Sequence, residues 1–424
     1  MTELYVCEGK LTGKTYKPGM VFEYQLAVPC AETAEYALLI EHDGQNDANV
    51  NAMLRLADEG KAPYCVSIGV RPGMLPMPDG TDRNMRNNNY DRFDREYADF
   101  LVYELIPYVE KRHRLSLSAS PDMHFISGGS SGGISAFVVA WFHSEFFHRV
   151  YMSSPSFLAM GRGNEIPYLI RKYETKPLRV YEECSEKEPN DYFGWSRAID
   201  EETREALTFA GYDFQYAFFA GEGHCSRYRS EEEAYRRCEW IWKDWKHKNV
   251  AVPGHSPRVS KVIPQDSRWE KCAAFPDALH DVPQQLPGRY RHAVLSNDGM
   301  AWYAGNPEED VIDMIVKEGE TAAASRIVHA YLHTLPGCCS RGALDLAVDR
   351  TDRLYVLTEM GIQCVRSYGL IDVILDLPQN CIPQKIAVTD ALYLQTKDAV
   401  YRRPLCEECV VQGPEKRRQI SYYD

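Results

Sequence analysis

The chain has 424 residues, more than one ordinary hydrophobic core holds, and this length predicts two domains. With 44% hydrophobic and 26% charged residues, it has the composition of a globular protein. Its net charge of −13 argues against nucleic acid and anionic membranes as partners, because most of the surface would repel them.

The sequence contains no apolar run long enough to cross a bilayer, and its first residues lack the basic-then-apolar pattern of a secretory signal. Its 13 cysteines are an odd number and follow no regular spacing. We therefore expect reduced thiols that pack as small apolar groups. Together these features predict a cytoplasmic location.

The first half of the chain alternates short apolar runs with amphipathic segments, a pattern typical of a mostly parallel α/β sheet. The pattern predicts strands at residues 36–40, 64–70, 123–127, 149–153, 178–182 and 214–219. It predicts helices at 94–112, through 134–139, from Glu201 onward, and at 231–247. Residues 1–250 are therefore expected to form one α/β domain.

The composition changes between Ala251 and Pro287, where six prolines fall in one stretch. Proline lacks the backbone N–H and has a restricted φ, so this stretch cannot be one long regular element. We expect a linker at residues 251–287.

A three-part motif recurs in the remaining residues, 288–424: an apolar strand, an acidic turn, and a strand with a central tyrosine or tryptophan. The copies lie at 293–303, 346–356 and 386–394. Strand repeats of about 40 to 50 residues are typical of propeller blades. The sequence therefore predicts a smaller, β-rich, partial propeller-like domain.

The strongest chemical motif is Ser127-Gly128-Gly129-Ser130-Ser131-Gly132-Gly133, between a predicted strand and a predicted helix. A Gly-x-Ser-x-Gly run in that context is typical of a nucleophile elbow, where the serine occupies a sharp, strained turn. Two frames fit, with Ser130 or Ser131 as the nucleophile. We favour Ser130, because the predicted strand ends directly before Gly128 and two glycines remain for the tight helix start. The N–H of the next residue would then point at an oxyanion.

A serine hydroxyl needs a base to take its proton, and in this arrangement the order along the chain is serine, acid, histidine. Among the 12 histidines, His224 lies in a glycine-flanked loop directly after a late predicted strand. The acid is expected after the strand at 178–182, where four carboxylates compete. Spacing alone favours Glu188 or Asp191, and does not choose between them.

Residues from about 24 to 245 resemble the esterase D/enterochelin esterase-like branch of the α/β-hydrolases. The resemblance lies in the turn Asp43-Gly44-Gln45, the segment Arg86–Asp91, the helix 97–107 and the elbow 128–133. It implies an α/β-hydrolase sandwich and supports the Ser130 frame. It also implies His224 as base and, two residues before an asparagine, Glu188 as acid, where relatives more often carry aspartate.

The same resemblance implies an oxyanion hole formed by the backbone N–H groups of Ser131 and of the Asp43–Gln45 turn, that is, of Gly44 and Gln45. Asp43, Arg86 and Tyr192 are the expected substrate-binding residues. The substrate is expected to be a small-molecule carboxylic ester of the siderophore, carbohydrate, feruloyl or short-chain type. No cofactor and no metal are expected.

The C-terminal region resembles the gluconolactonase/senescence-marker family of propellers, best at residues 346–349, 354–356 and 361–363. Too few residues remain for a six-bladed ring, and Leu344 stands where a calcium-binding aspartate is expected. We therefore expect a degenerate, partial propeller. Its open sheet edges should pack against the hydrolase domain or, in a homodimer, against the same region of a second chain.

Cys338, Cys339, Cys406 and Cys409 could supply four thiolates to zinc, although adjacent cysteines chelate one metal poorly. Two other functions compete with the serine esterase. One is a metal-dependent lactonase centred on the C-terminal domain, which a chelator would abolish. The other is a non-catalytic ligand-binding protein on a hydrolase scaffold, which a fluorophosphonate would not label.

Overall fold

The computed structural model of the chain describes residues 2–155, 157–247, 255–276, 286–318, 321–334 and 339–410. The chain divides into two compact units. The first unit comprises Met1–Arg171 and Thr175–Gly254, and the second comprises Lys172–Glu174 and His255–Asp424. Parts of the predicted linker, 251–254 and 277–285, lie outside the described residues, as do 411–424 of the predicted second domain.

The first unit is built on one mixed sheet flanked by helices. Its strands are β1 (Leu4–Thr12), β2 (Val21–Pro29), β3 (Ala37–His42), β4 (Cys65–Val70), β5 (Met74–Pro76), β6 (Asp82–Asn84), β7 (His124–Gly129), β8 (Arg149–Ser153), β9 (Arg179–Lys187) and β12 (Asp213–Gly223), with a small hairpin of β10 (Asn190–Asp191) and β11 (Gly194–Trp195) beside it in sequence. Its helices are α1 (Asp47–Asp58), α2 (Arg86–Tyr90), α3 (Glu96–Phe100), α4 (Ile106–His113), α5 (Ser131–Phe142), α6 (Ile166–Lys172), α7 (Ser196–Phe209) and α8 (Glu231–Ile241).

The strand order is β12-β9-β8-β7-β3-β4-β2-β5-β6, and β1 pairs with β2. The pairs from β12 to β4 are parallel, whereas β1, β2, β5 and β6 add an antiparallel edge. Every residue of β3, β4, β7 and β8 is buried, as expected for parallel strands covered on both faces. The predicted α/β sheet is confirmed, and its carboxyl edge carries the loops that follow β3, β7, β9 and β12.

Two predicted helices differ from the structure. The helix expected at 94–112 is split into α3, a π-helical segment (Leu101–Leu105) and α4. Pro107 in the first turn of α4 lacks the N–H that a continuous α-helix would use, which explains the irregular segment before it. The helix expected at 231–247 ends at Ile241, and a short 3₁₀ turn follows at Trp245–His247.

Within its described residues, the second unit contains three four-stranded antiparallel sheets. Their strands are β13 (Glu270–Cys272), β14 (His292–Leu295), β15 (Ala301–Gly305), β16 (Val311–Glu318), β17 (Thr321–Tyr331), β18 (Asp345–Val348), β19 (Leu354–Thr358), β20 (Gly361–Val365), β21 (Ile371–Leu375), β22 (Pro383–Val388), β23 (Leu392–Thr396) and β24 (Val400–Arg403), followed by the short helix α9 (Glu407–Val410). The sheet orders are β14-β15-β16-β17, β18-β19-β20-β21 and β13-β24-β23-β22.

Each of the three sequence repeats forms one β-hairpin. These hairpins are β14/β15, β18/β19 and β22/β23. The predicted β-rich second domain is confirmed at this level. The segment expected as a linker is more structured than its prolines suggest: it contains a 3₁₀ turn at Val259–Lys261 and strand β13, and Val259, Val262 and Ile263 are buried in the core of the second unit.

In the part of the chain that the structure describes, no helix combines the length and the apolar composition required to cross a lipid bilayer.

Candidate active site

Ser130 lies at the sharp turn between β7 and α5. Its φ is 57° and its ψ is −126°, a conformation that is strained for a residue with a side chain. Its N–H donates to the carbonyl oxygen of Ser153 at 2.8 Å, which ties the turn to the end of the neighbouring strand β8. This strand–turn–helix geometry is that of a nucleophile elbow.

The glycines on either side of Ser130 allow the strand and the helix to approach each other. A Cβ on Gly128 would lie 2.2 Å from the backbone of Gly132, and a Cβ on Gly132 would lie 3.0 Å from the Cβ of His42. Side chains at these two positions would therefore push the turn apart. The closest approach joins the glycines two residues before and two residues after Ser130, and Ser131 already belongs to α5.

Glu188 and His224 meet at the carboxyl edge of the sheet, on the loops that follow β9 and β12. The Nδ1 of His224 lies 2.5 Å from Oε2 of Glu188. The other carboxylate oxygen, Oε1, accepts hydrogen bonds from the Ser154 hydroxyl at 2.6 Å and from the Ser185 N–H at 3.0 Å. The Glu188 side chain is fully buried, whereas 30% of the His224 side chain is exposed.

The histidine loop contacts the elbow through the residues next to His224 and Ser130. A Cβ on Gly129 would lie 3.3 Å from the Sγ of Cys225, so the residue before Ser130 contacts the residue after His224. The Cys225 N–H donates to the Ser154 hydroxyl at 3.1 Å, and its thiol donates to the Ser153 carbonyl at 3.4 Å. Elbow, acid loop and histidine loop thus converge around the end of β8.

The hydrogen bonds shift the pKa values of the pair in opposite directions. Burial raises the pKa of Glu188, but hydrogen bonds from His224, Ser154 and Ser185 outweigh it, so that the pKa lies below the usual range. Burial lowers the pKa of His224, but the side chains of Cys225 and Glu188 outweigh it and raise the pKa above the usual value for histidine. The carboxylate is therefore ionised, and it stabilises an imidazolium.

His42 contacts both the strand and the helix that form the elbow. It is almost fully buried, with Nδ1 3.1 Å from the Ser127 carbonyl and Nε2 3.2 Å from the Ser135 hydroxyl. Burial lowers the pKa of His42 to about 4, so its ring is neutral at physiological pH. A neutral histidine between the strand before the elbow and the helix after it positions both elements.

The turn after β3 does not offer the expected oxyanion donors. The N–H of Gly44 donates to the Val70 carbonyl at 3.1 Å, and the N–H of Gln45 donates to Oε1 of Gln25 at 3.0 Å. Positive φ angles of 63° at Asp43 and 92° at Gly44 curl this turn back onto β4, which explains why both groups are engaged. Ser131 differs, because as the first residue of α5 its N–H has no acceptor within the helix.

Asp43 and Arg86 form a pair with each other. The Nε and Nη2 of Arg86 donate to the two carboxylate oxygens of Asp43 at 2.7 and 2.8 Å, and both side chains are partly exposed. Asp43 lies beside the elbow, since its Oδ2 is 3.1 Å from the position that a Cβ on Gly132 would take. The Asp43 N–H in turn donates to the Tyr90 hydroxyl at 3.2 Å.

Tyr192 is 89% exposed, at the tip of the β10–β11 hairpin, and its ring contacts the ring of Phe193. It follows Glu188 closely in sequence, but the structure does not enclose it with the other predicted residues. A hydrogen bond lies within the hairpin turn: the Phe193 N–H donates to Asp191 Oδ1 at 2.9 Å, so Asp191 faces its own turn.

Sequence reasoning missed Ser154 and Arg237. Ser154 follows β8 directly, and its place at the carboxyl end of a parallel strand was a usable signal. Arg237 on α8 is fully buried, and donates to Glu183 at 3.2 Å and to the Tyr228 carbonyl at 2.7 Å. It therefore anchors the end of the loop that carries His224, a role that no local pattern indicates.

The cysteines weighed as a zinc site find other partners. Cys338 lies outside the described residues. The thiols of Cys406 and Cys409 donate to the backbone carbonyls of Ser260 and Lys261 at 3.4 and 3.9 Å. Among the described residues, a group able to hold a metal ion lies instead in the first unit, at Cys184, Glu188 and Asp200.

Residues 22–206 match the family model Esterase, described as "putative esterase". Similar solved structures include a ferulic acid esterase (19% identity, 56% of this chain and 98% of that chain, TM-score 0.43). Others are the enterobactin esterase of Shigella flexneri (16% identity, 56% of this chain and 59% of that chain, TM-score 0.43) and a siderophore hydrolase of Aspergillus nidulans (17% identity, 57% and 95%, TM-score 0.40). No curated protein matches the chain in sequence. Apart from Lys172–Glu174, the matched residues lie within the first unit, and the match supports a carboxylic ester hydrolase.

Proposed function

We propose that the first unit hydrolyses a carboxylic ester through an acyl-enzyme formed on Ser130. His224 takes the proton of the Ser130 hydroxyl as it attacks the ester carbonyl, and then gives that proton to the leaving alcohol. Water, activated by the same imidazole, releases the acid and restores the serine. Glu188 orients His224 and stabilises the imidazolium that forms in each half-reaction.

The observation that carries this proposal is the hydrogen bond of 2.5 Å between His224 Nδ1 and Glu188 Oε2. It leaves Nε2 as the ring nitrogen available to a serine, as a general base requires. The contact of Gly129 with Cys225 supports the same arrangement, because these residues adjoin Ser130 and His224. The strained φ of Ser130 supports its choice over Ser131.

For the oxyanion we retain the N–H of Ser131 as donor. It lies at the start of α5, where the first-turn N–H groups and the helix dipole favour negative charge. The Asp43–Arg86 pair beside Gly132 is our proposed orienting group for polar atoms of the substrate. Tyr192 would act as an exposed aromatic contact at the rim.

The substrate class remains that of the sequence analysis: siderophore, carbohydrate, feruloyl or short-chain esters. A panel of chromogenic esters of graded acyl size would distinguish these. The rival metal-dependent lactonase predicts loss of activity with EDTA, whereas the mechanism proposed here predicts none.

The direct test is labelling by a fluorophosphonate probe followed by peptide mapping. We expect one adduct, on Ser130. The variant Ser130→Ala should lose the label, whereas Ser131→Ala should keep it, because the proposed role of Ser131 rests on its backbone N–H. A label on Ser131 would shift the frame by one residue, and no label in the folded wild type would favour a non-catalytic binding protein.

For the second unit we propose a partial propeller of three blades. This is supported by its three four-stranded sheets and by the contacts of β14 with β18 and of β18 with β22, which place the first strands of the repeats side by side. A homodimer through this unit is also a proposal, which sedimentation of the full chain tests. The free thiols of the described cysteines support the proposed cytoplasmic location.

A further inference from the structure

A second group of polar side chains is buried next to Glu188, on the side of β9 that faces α7. Glu182 and Cys184 are two residues apart on β9 and therefore point to the same face of the sheet. Asp200 on α7 packs against that face. Glu182, Cys184 and Asp200 are each fully buried.

Several of these buried groups have no hydrogen-bond partner among the residues that the structure describes. This holds for both carboxylate oxygens of Glu182 and, apart from the contact with the Cys184 thiol, for both of Asp200. A buried carboxylate without a partner costs several kcal/mol, so native proteins satisfy such groups with a proton, a water or an ion. Unpaired atoms concentrated in one place therefore indicate an occupant.

The geometry indicates which occupant fits. The Sγ of Cys184, a carboxylate oxygen of Glu188 and a carboxylate oxygen of Asp200 all lie within 4.8 Å of one another. One thiolate with two carboxylates is a donor set that zinc accepts, at bond lengths of about 2.0 to 2.3 Å. Calcium and magnesium prefer oxygen ligands alone, so the sulfur disfavours them.

We propose that Cys184, Glu188 and Asp200 form a buried binding site for a divalent transition-metal ion of the zinc class. Binding releases the Cys184 thiol proton and any carboxyl proton of Asp200 to solvent, and the ion takes their place.

The site shares Glu188 with the acid–histidine pair, and this consequence rests on the function proposed above. A metal bound to Glu188 withdraws negative charge from the carboxylate that accepts from His224. The imidazolium is then less stabilised, and the general base is weaker. Zinc is therefore an inhibitor of the esterase. It acts through Glu188 and does not occupy the substrate site.

The test is metal content together with activity of the full chain. The protein is incubated with zinc chloride and passed through gel filtration, and the retained zinc is measured by mass spectrometry. We expect about one zinc per chain, and none in Asp200→Asn or Cys184→Ser. Cys238→Ala is the matched control, since Cys238 is also a buried thiol of the first unit but belongs to α8, and it should retain zinc as the wild type does.

Two further measurements keep the test decisive. Cobalt in place of zinc should give a thiolate-to-metal absorption band that Cys184→Ser abolishes. Circular dichroism of each variant shows whether lost binding reflects lost folding; if both variants unfold, the cobalt band of the folded wild type decides. No retained zinc and no cobalt band in the wild type would overturn the site, as would binding that survives in both folded variants.

Activity separates this inference from the esterase mechanism. Zinc loading should lower kcat for a chromogenic ester by about a hundredfold, a typical share for general-base catalysis. Suppose that the wild type retains one zinc, that Cys184→Ser retains none, and that kcat of the zinc-loaded enzyme is unchanged. The metal site would then stand, and the assignment of Glu188 as triad acid would be wrong. An enzyme labelled at Ser130 that retains no zinc would overturn the site and leave the mechanism intact.

Discussion

The acids that the sequence motifs carry have different settings in the two units. In the first unit they meet partners from distant parts of the chain: Glu183 of β9 meets Arg237 of α8, and Glu188 meets His224. In the second unit the acid of each repeated turn bonds mainly to neighbouring residues. Asp349 accepts from the N–H groups of Thr351 and Arg353 at 2.8 and 3.1 Å.

The aromatic residue completes this local arrangement in the second and third repeats, whereas in the first the Tyr303 hydroxyl donates to Asp352 of the second repeat at 3.0 Å. The hydroxyl of Tyr355 donates to Asp349 at 3.0 Å, and that of Tyr393 donates to Asp390 at 3.0 Å. The repeated acid and tyrosine therefore stabilise a hairpin, and need no ligand to explain them. The comparison teaches that a recurring polar motif here marks architecture, whereas the unrepeated glycine-serine run carries the proposed nucleophile.

The largest expected effect breaks the first unit's chemistry without affecting its fold. Ser130→Ala should lower kcat by about a millionfold if nucleophile, base and acid act as a unit. Steady-state kinetics on the best ester of the panel measures it, with Asp349→Asn of the second unit as the control that keeps kcat. If Ser131→Ala is inactive and Ser130→Ala is active, the nucleophile assignment is wrong.

The acid should show the next largest effect. Glu188→Gln should lower kcat by about a thousandfold or more, because the imidazole loses its orienting charge. Asp191→Asn and Glu186→Gln should change kcat little, since Asp191 accepts from the Phe193 N–H and Glu186 from the Gly221 N–H. A large loss at Asp191 with none at Glu188 would contradict the assignment.

Stability of the first unit should depend on its long-range ion pair. Arg237→Met removes the cationic partner of the buried Glu183 and the donors to Asn49 and the Tyr228 carbonyl, and should destabilise this unit by about 3 to 5 kcal/mol. Arg236→Met is the matched control: Arg236 is 61% exposed and pairs with Glu232, so its loss should cost less than about 1 kcal/mol. Calorimetry of the full chain measures both, and equal shifts for the two variants would refute the role of Arg237.

The pH dependence should reflect the raised pKa of His224. The base must be neutral, and a raised pKa keeps it protonated to higher pH, so kcat/KM should rise with pH through a midpoint above the ordinary value of about 6.5. Glu188→Gln removes the negative charge and should move this midpoint down. A wild-type midpoint at or below the ordinary value would contradict the Glu188–His224 pairing.

The smallest effect is expected in the second unit. Asp349→Asn weakens charge-assisted bonds inside one buried turn and should lower the stability of this unit alone, by about 1 kcal/mol. Asp390→Asn, at a position where 65% of the side chain is exposed, should cost less. If Asp349→Asn also lowered kcat, the acidic turns would have a role beyond architecture.

The sequence by itself determined the features that depend on neighbouring residues. The elbow needs glycines two residues from its serine, and the parallel strands need unbroken apolar runs. Both features can therefore be recognised from residues that are adjacent in the sequence. The same holds for the hairpin repeats of the second unit, although prolines concealed β13 and the buried residues around Val262.

Only the tertiary structure decided which groups meet through space. Four carboxylates compete between residues 183 and 191, two of them inside β9, and Glu188 differs from the others in its hydrogen bond to His224. The N–H groups of Gly44 and Gln45 suit an oxyanion in sequence, but their turn folds back and engages both. Asp200 approaches Cys184 because α7 packs on β9, a distance that no local pattern of residues can encode.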